Sequence, residues 1–344
     1  MSVGYDLEGI KTPGMQIFID NLMDSSRSNL FDRYLEQLAG IIRKGEYIGG
    51  TDLAGRLKEV EGLSSGISSN ICHSLTLSTM HGCPPDEIEA ICSYMLTEKK
   101  LNTFVKLNPT LLGYERVRAM LDTTGFGYIE LSREGFDKDL KYDDALSMLQ
   151  RLTGTAEACG MRFGVKLSNT LGVVNNKGCL PGEEMYMSGR ALFPLTINLA
   201  AELSADFSGK LPISYSGGAS AFNVERILRT GIRPITVATD LLKPGGYLRL
   251  SQMAGLLEKL DRWPDRNIDV EMVRSPADSS FSMTVTGKPS PTRKKAAASP
   301  AGPAPTMHTF TRLRVSGCRH CDLKSLKPLS TAILFISLIL TLPS

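Results

Sequence analysis

The 344-residue chain lacks the sequence features of secreted and membrane-spanning proteins. Its first ten residues, Met1–Ile10, have neither the basic start nor the apolar centre of a secretory signal. An apolar run from Leu329 to Leu342 has 14 residues, whereas about 20 are needed to cross a bilayer. The seven cysteines form no regular disulfide framework. We therefore expect a cytoplasmic protein without a transmembrane segment.

Most of the chain also lacks the basic excess that is typical of nucleic-acid binding. From Ser279 onward there are nine Lys or Arg residues and one acid, Asp322. The preceding part carries 30 basic and 35 acidic residues. The basic character of the sequence therefore belongs to its end, and no nucleic-acid partner is predicted.

Composition divides the chain into two parts. Residues 1–275 have the mixture of a globular domain. Residues 276–344 form a basic, low-complexity tail, in which Pro289–Pro305 has the composition of a disordered linker and the C-terminus is briefly apolar. An abrupt change of this kind is also expected where a gene is read in another frame, so we expect a fragment with an altered end.

Strand-like and helix-like segments alternate through residues 1–275. Each strand-like run is short and apolar, ends in a polar or glycine turn, and precedes a helical period. These runs are Ser74–Thr79, Thr103–Asn108, Phe126–Leu131, Arg162–Ser168, Leu211–Ser216 and Pro234–Thr239. The alternation predicts parallel strands with crossover helices. A closed (β/α)8 barrel needs eight strands, and the sequence offers six and a stub at Ser2–Tyr5, so an incomplete TIM-type barrel is predicted.

Small hydrogen-bonding residues and glycines follow these predicted strands. In a barrel they share the face that carries the chemistry, which indicates a site for a phosphorylated cofactor. The glycine turns are Ser188-Gly189 and Ser216-Gly217-Gly218, and Thr239-Asp240 follows the last strand. Glycines let backbone N–H groups approach a phosphate. Ordinary loop glycine is the alternative.

Six motifs in order resemble one family, that of the putative selenate reductase subunit, a bacterial flavo-iron-sulfur protein. They are Leu75–Glu87, Phe104–Thr110, Lys166–Gly172, Gly182–Gly189, Ser214–Ser220 and Ala238–Tyr247. The resemblance covers about Met1 to Val270. It implies an FMN barrel similar to those of dihydropyrimidine and dihydroorotate dehydrogenases. The family's first two strands have no counterpart here, and its longer members continue into iron-sulfur and FAD/NAD(P)H domains, which this chain lacks.

The resemblance implies roles for several side chains. Lys106 would lie near the pyrimidine edge of FMN and stabilise the anionic reduced flavin; a lysine extending to solvent from the strand rim is the alternative. Lys166 occupies an equivalent position. Asn108, Asn169 and Thr170 would offer the paired donors and acceptors that planar rings need, although such residues also commonly end strands.

The resemblance also implies a cysteine or serine that acts as acid or base opposite the flavin, in the loop after the first clear strand. The aligned position falls on Thr79, whose hydroxyl is a poor acid, while Cys83 could serve after a loop shift with His81 adjusting its pKa. A small residue before a helix is the alternative for Cys83. The nearby cysteines and histidines fit no standard metal spacing, so no metal site is predicted.

The resemblance implies an FMN-dependent oxidoreductase that exchanges a hydride with a small substrate, conservatively a planar heterocycle. Electrons would move on to domains or subunits outside this chain. Two alternatives stay open: a non-catalytic remnant of a barrel, and a phosphate-binding aldolase or isomerase that uses Lys106 or Lys166 as a Schiff-base amine.

Overall fold

The structure of the protein is a computed structural model. It describes residues 1–44, 66–79, 81–178, 180–260 and 267–274. The predicted tail, residues 276–344, and the apolar run from Leu329 to Leu342 lie outside the described residues.

A parallel sheet forms the centre of the described structure. Its strands, in spatial order, are β1 (Ser2–Val3), β2 (Ser74–Ser78), β3 (Asn102–Leu107), β4 (Phe163–Leu167) and β7 (Ile213–Tyr215). Neighbouring strands are also sequence neighbours among these five, and all pair in parallel. A parallel bridge between Tyr215 and Ile235 continues the order past β7. The predicted strand–helix alternation is confirmed, although the predicted strand Pro234–Thr239 is reduced to that bridge.

In the described part of the chain, helices connect the strands and short 3-10 turns lie between them. The 3-10 turns are Ser25–Arg27, Pro109–Leu112 and Gly189–Ala191. The helices are α1 (Leu7–Lys11), α2 (Pro13–Met23), α3 (Asn29–Lys44), α4 (Pro85–Thr97), α5 (Tyr114–Thr123), α6 (Arg133–Lys138), α7 (Tyr142–Ala158), α8 (Leu192–Asp206), α9 (Val224–Arg229) and α10 (Tyr247–Leu257).

Helix α4 shows how local sequence sets these elements. It begins at Pro85, which suits a first turn, and its first turn contains Asp86 and Glu87, which interact favourably with the helix dipole. Its buried residues, Ile88, Ile91, Cys92, Met95 and Leu96, recur at helical spacing and form one face. Burial of each large apolar side chain contributes about 1.5–3 kcal/mol.

The predicted strand Phe126–Leu131 is wrong. Its start bonds to the end of α5, where the Phe126 N–H donates to the Leu121 carbonyl at 2.8 Å. Its end alone reaches a strand, where the Glu130 carbonyl accepts from the Val174 N–H at 2.9 Å. The Arg118 guanidinium donates to the Ile129 carbonyl at 2.5 Å. Only Leu131 makes a bridge, and it is antiparallel, to Val173.

That bridge joins a hairpin that the sequence did not predict. Its strands are β5 (Leu171–Val174) and β6 (Glu184–Met187), paired antiparallel. Because β5 begins just after the carboxyl end of β4, the hairpin lies on the face where the strands of the central sheet end. It thereby becomes part of the surroundings of the candidate site.

Candidate functional site

A pocket of about 200 Å³ opens at the carboxyl ends of β3, β4 and β7. Strand ends and three following loops contribute its walls. Residues lining it include Lys106, Lys166, Ser168, Thr170, Ser188, Gly189, Arg190, Ser216, Gly217, Gly218, Ala219, Ser220, Thr236, Thr239, Asp240 and Lys243. In parallel α/β folds this end of the strands is the usual place for ligands.

Two lysines line the pocket without an anionic partner. Lys106 of β3 and Lys166 of β4 are cross-strand neighbours in the sheet register. Both are partly buried, and neither makes an ion pair or side-chain hydrogen bond within the described parts of the chain. Burial, and then the charge of Lys166, lower the pKa of Lys106 from 10.5 to about 8. Burial also lowers the pKa of Lys166. An anionic ligand would relieve both effects.

Three glycines allow the loops around the pocket to approach one another. Gly189 and Gly218 have left-handed backbones, with φ of 74° and 70°. A Cβ on Gly218 would lie 2.6 Å from the Gly189 carbonyl oxygen, and one on Gly189 would lie 2.9 Å from Thr239 Cγ2. A Cβ on Gly217 would overlap the Thr196 hydroxyl of α8. Side chains are therefore excluded where the loops meet, which leaves backbone at the pocket wall.

Backbone donors at these loops have no protein acceptor. In the described ranges, the N–H groups of Gly217, Gly218, Ala219, Thr239 and Asp240 make no hydrogen bond. Buried backbone donors are normally paired. A group of such donors beside a pocket is suited to bind an anion such as phosphate.

Charged side chains stand at the rim of the same pocket. Asp240 is only 6% exposed and lies 3.3 Å from Lys243 Nζ and 3.5 Å from Arg249 Nη1. Its carboxylate would repel a phosphate, so any contribution to anion binding comes from its N–H and from the cations it holds. The guanidinium of Arg190 lies 5.3 Å from the centre of the Phe222 ring.

A smaller cleft adjoins the pocket and shares Lys106 with it. Thr79, Gly82, Cys83, Asn108 and Asp139 are among its lining residues. Burial, followed by the negative charges of Glu87 and Asp6, raises the pKa of the Cys83 thiol. Cys83 is thus held protonated at neutral pH.

Asp139 is a buried carboxylate that accepts hydrogen bonds from several groups around the cleft. It is 3% exposed and accepts hydrogen bonds from the Gly82 N–H at 2.8 Å, Thr110 Oγ1 at 2.8 Å and Asn108 Nδ2 at 3.1 Å. His81 Nδ1 lies 3.0 Å from Asp139 Oδ2. This hydrogen bond raises the pKa of His81 against the opposing effect of burial.

The predicted site residues separate into two groups around Lys106. Most of the predicted cofactor ligands line the main pocket: Lys106, Thr170, Ser188, Gly189, Ser216, Gly217, Gly218, Thr239 and Asp240. Asn108 and the predicted acid–base residues Thr79 and Cys83 line the cleft. Asn169 lines neither; its side-chain oxygen accepts from the Thr170 N–H at 3.0 Å. Their roles remain predictions.

Sequence reasoning missed several residues of the site. Arg190 and Lys243 line the pocket next to predicted residues, and their charge was a usable signal. Asp139 gave no such signal, because it lies 58 residues from His81 in the chain and looks like an ordinary surface aspartate in sequence.

The described residues show neither a metal-binding cluster nor a membrane-spanning helix. Those residues contain no group of three or more His, Cys, Asp or Glu side chains that could hold a metal ion. No helix among them has the length and apolar character needed to span a membrane. Cys72, Cys83, Cys92 and Cys159 are free thiols.

Comparison with known proteins identifies the domain. Residues 1–288 match the model of the family described as "Oxidoreductase YgfK, N-terminal TIM-barrel domain". The chain belongs to this family. The TIM-barrel fold predicted from the sequence is thereby confirmed, and the five parallel strands and their helices are part of that barrel.

Two curated relatives carry the name "Putative oxidoreductase YgfK", from Escherichia coli strain K12 and from Escherichia coli O157:H7. Each is 58% identical over 288 residues, which is 84% of this chain. The chain spans 28% of the length of these relatives. Their names give an oxidoreductase without a substrate, so the selenate reductase part of the resemblance has no counterpart in them.

A solved structure titled as a ligand-free DHODH from Eimeria tenella also aligns with the chain. It covers 57% of this chain and 63% of its own, with 13% identity and a TM-score of 0.33. A similarity this low supports no inference about fold or function.

Proposed function

We propose that this domain binds FMN in the main pocket and serves as the flavin domain of an oxidoreductase. The observation that carries the proposal is the pair of lysines, Lys106 and Lys166, beside backbone donors; within the described residues the lysines have no anionic partner and the donors have no acceptor. A phosphorylated cofactor with a ring that becomes anionic on reduction satisfies both features. Bound FMN would supply hydride and electron transfer.

Different residues of the chain would bind different parts of FMN. The N–H groups at Gly217, Gly218 and Thr239 would bind the phosphate, assisted by the cations Arg190 and Lys243 at the rim. Lys106 and Lys166 would hold the electron-rich edge of the ring. Thr170, Ser168 and Asn108 would orient ring and substrate through hydrogen bonds.

The substrate would lie beside Lys106, where the polar groups of Asn108 and Thr79 in the smaller cleft border the main pocket; the cleft itself, at about 20 Å³, has room for about one water molecule. A small, planar, heterocyclic molecule fits such paired donors and acceptors best. We further propose that electrons pass to iron-sulfur and FAD/NAD(P)H domains outside this chain, and that the protein works in the cytoplasm, where free thiols are ordinary.

A second candidate function rests on the pKa of Lys106. A lysine with a pKa of about 8 is partly neutral near physiological pH, as a Schiff-base nucleophile needs to be. The same pocket could then serve an aldolase or isomerase acting on a phosphorylated carbonyl compound.

The deciding experiment is the visible absorption spectrum of the purified chain after incubation with FMN and desalting. Retained flavin bands in wild type, and their loss in Lys106→Met, would support the flavin domain. A colourless protein that becomes covalently labelled by borohydride with a phosphorylated aldehyde, but not after Lys106→Met, would replace it by the aldolase. A protein that neither retains flavin nor is labelled would match the non-catalytic remnant.

A further inference from the structure

The loop after β2 contains a side-chain pair that the proposed cofactor site does not use. His81 and Asp139 approach to 3.0 Å, between His81 Nδ1 and Asp139 Oδ2. Asp139 is buried, whereas the His81 side chain is 32% exposed. One end of the pair is therefore fixed inside the fold, and the other is partly accessible to solvent.

The contact determines which ring nitrogen carries the proton in neutral His81. A carboxylate oxygen can only accept, so Nδ1 must donate to Asp139. Hydrogen bonds from Thr110 and the Gly82 N–H, with that of His81, outweigh the effect of burial and lower the pKa of Asp139, which therefore stays ionised. The Nε2 nitrogen then carries the lone pair, and among the described residues it has no hydrogen-bond partner.

The imidazole ring is held in place from several sides. The Tyr186 ring of β6 stacks on it at a centroid distance of 6.0 Å and an interplanar angle of 23°. Asn108 Nδ2 lies 3.1 Å from His81 Nδ1, but because that nitrogen carries a proton the amide donates to Asp139 Oδ2 at 3.1 Å instead. The charged groups that face it are Asp139, Glu184 of β6 and Lys106 of β3; the first two favour the imidazolium and Lys106 disfavours it.

We propose that His81 Nε2 is the proton donor and acceptor of this site, with Asp139 as its positioning residue, in place of Thr79 or Cys83. The geometry favours it over both, since Thr79 has an alcohol of very low acidity and Cys83 has no hydrogen bond to a base. His81 lies in the same loop as both. It borders the cleft through Asp139 and Asn108, which contact its Nδ1 and line the cleft, and the cleft shares Lys106 with the main pocket.

The proton step balances within the protein. In the oxidative direction a substrate X–H bond breaks, its electron pair stays on the substrate, and an N–H bond forms at His81 Nε2. The new imidazolium charge is balanced by the Asp139 carboxylate, as in other base–carboxylate pairs. The hydride that leaves the neighbouring atom is the part that rests on the proposed function.

The first arm of the test needs no cofactor. Histidine ring signals of the full chain are titrated by NMR; there are four histidines, and His81→Asn identifies the signal of interest. We expect a pKa above the ordinary value, the Nδ1–H form when neutral, and a lower pKa in Asp139→Asn. A His81 pKa at the ordinary value, or an Nε2–H form, would overturn the proposal even if FMN binds.

The second arm uses FMN-loaded protein that is photoreduced without oxygen, with EDTA as the electron donor, and is then mixed with 2-cyclohexen-1-one in the dark. This alkene takes one hydride and one proton, so its reduction reports the proton donor. The wild-type rate should fall as pH rises through the His81 pKa, because the imidazolium donor is lost. His81→Asn should be about 100-fold slower with no such pH dependence, and His73→Gln should keep the wild-type profile.

Reoxidation of the reduced flavin by oxygen serves as the reference, since it needs no donor on the protein; its rate should be alike in wild type and His81→Asn. Retention of the pH dependence in His81→Asn, or its loss in Cys83→Ser, would overturn the assignment. Failure to bind FMN at all would instead count against the proposed function, while the NMR arm would still report on His81 and Asp139.

Discussion

Replacing Lys106 by Met should stabilise the ligand-free protein while weakening anion binding. The pKa of Lys106 is lowered from 10.5 to about 8, chiefly by burial and then by Lys166. This difference corresponds to about 3 kcal/mol of unfavourable charging in the folded state. Methionine has a similar length without the charge. We therefore expect the free energy of unfolding at pH 7 to increase by about 1–3 kcal/mol.

The stability difference between Lys106→Met and wild type should depend on pH. Between pH 8 and 10.5 the unfolded chain keeps the Lys106 proton that the folded protein has lost, so wild-type stability rises with pH in this window. The advantage of Lys106→Met should be full below pH 8 and should fade as pH approaches 10.5.

Urea unfolding of the apo protein at several pH values measures the effect. Lys243→Met is the matched control, because Lys243 lines the same pocket but pairs with Asp240 at 3.3 Å; its removal should change stability by less than about 1 kcal/mol. If Lys106→Met is less stable than wild type at pH 7, or its advantage does not depend on pH, the lysine is structural and the reasoning fails.

Three further changes test other parts of the account. Gly218→Ala should weaken FMN binding at least about tenfold in a fluorescence titration. Its Cβ would lie 2.6 Å from the Gly189 carbonyl oxygen and would displace a loop that we propose binds phosphate. Gly113→Ala is the control, because its φ is also left-handed, at 80°, but its Cβ would meet open space; its FMN affinity should be unchanged. Gly164→Ala should destabilise the protein by about 1–3 kcal/mol in urea, because its Cβ would lie 2.5 Å from the Pro212 carbonyl oxygen, whereas Gly154→Ala in α7 should be neutral or stabilising. Lys166→Met should raise the pKa of Lys106 in an NMR titration and lower the reduction potential of bound FMN; an unchanged Lys106 pKa would show that the two charges do not interact.

The helices and most strands were predictable because their signals are local. Pro85, Asp86 and Glu87 mark the start of α4 by residue type alone. Gly125, Gly160 and Gly231 follow α5, α7 and α9 with left-handed φ of 84°, 68° and 91°, as glycines that end helices do. Parallel pairing followed from the alternation of elements.

The wrong strand prediction and the missed hairpin share a physical cause. In both, the group that pairs with the backbone is distant in sequence or is a polar side chain. Phe126–Leu131 has strand composition, yet the Arg118 side chain takes its carbonyls. The hairpin of β5 and β6 depends on pairing across a polar loop, and no local period reports it.

The types of residue at the strand ends of the site could be predicted from the sequence. The hydrogen bonds that join side chains from different loops could not. Glycine turns and Lys106 could be read from sequence because their chemistry follows from their own position. The partnership of His81 with Asp139 could not, since it joins two loops that only the fold brings together. Thr79 and Cys83 were instead chosen by alignment with relatives, which uses position along the chain and takes no account of side-chain partners.

The most direct test of the central claim compares FMN with riboflavin, which has the same ring but no phosphate, by calorimetric titration of the apo chain. The account predicts one FMN per chain and at least about tenfold weaker binding of riboflavin, because charge-assisted hydrogen bonds to the phosphate are lost. Equal affinity for the two would contradict the phosphate-binding role of the glycine loops. No binding of either would contradict the proposal that this pocket is a flavin site.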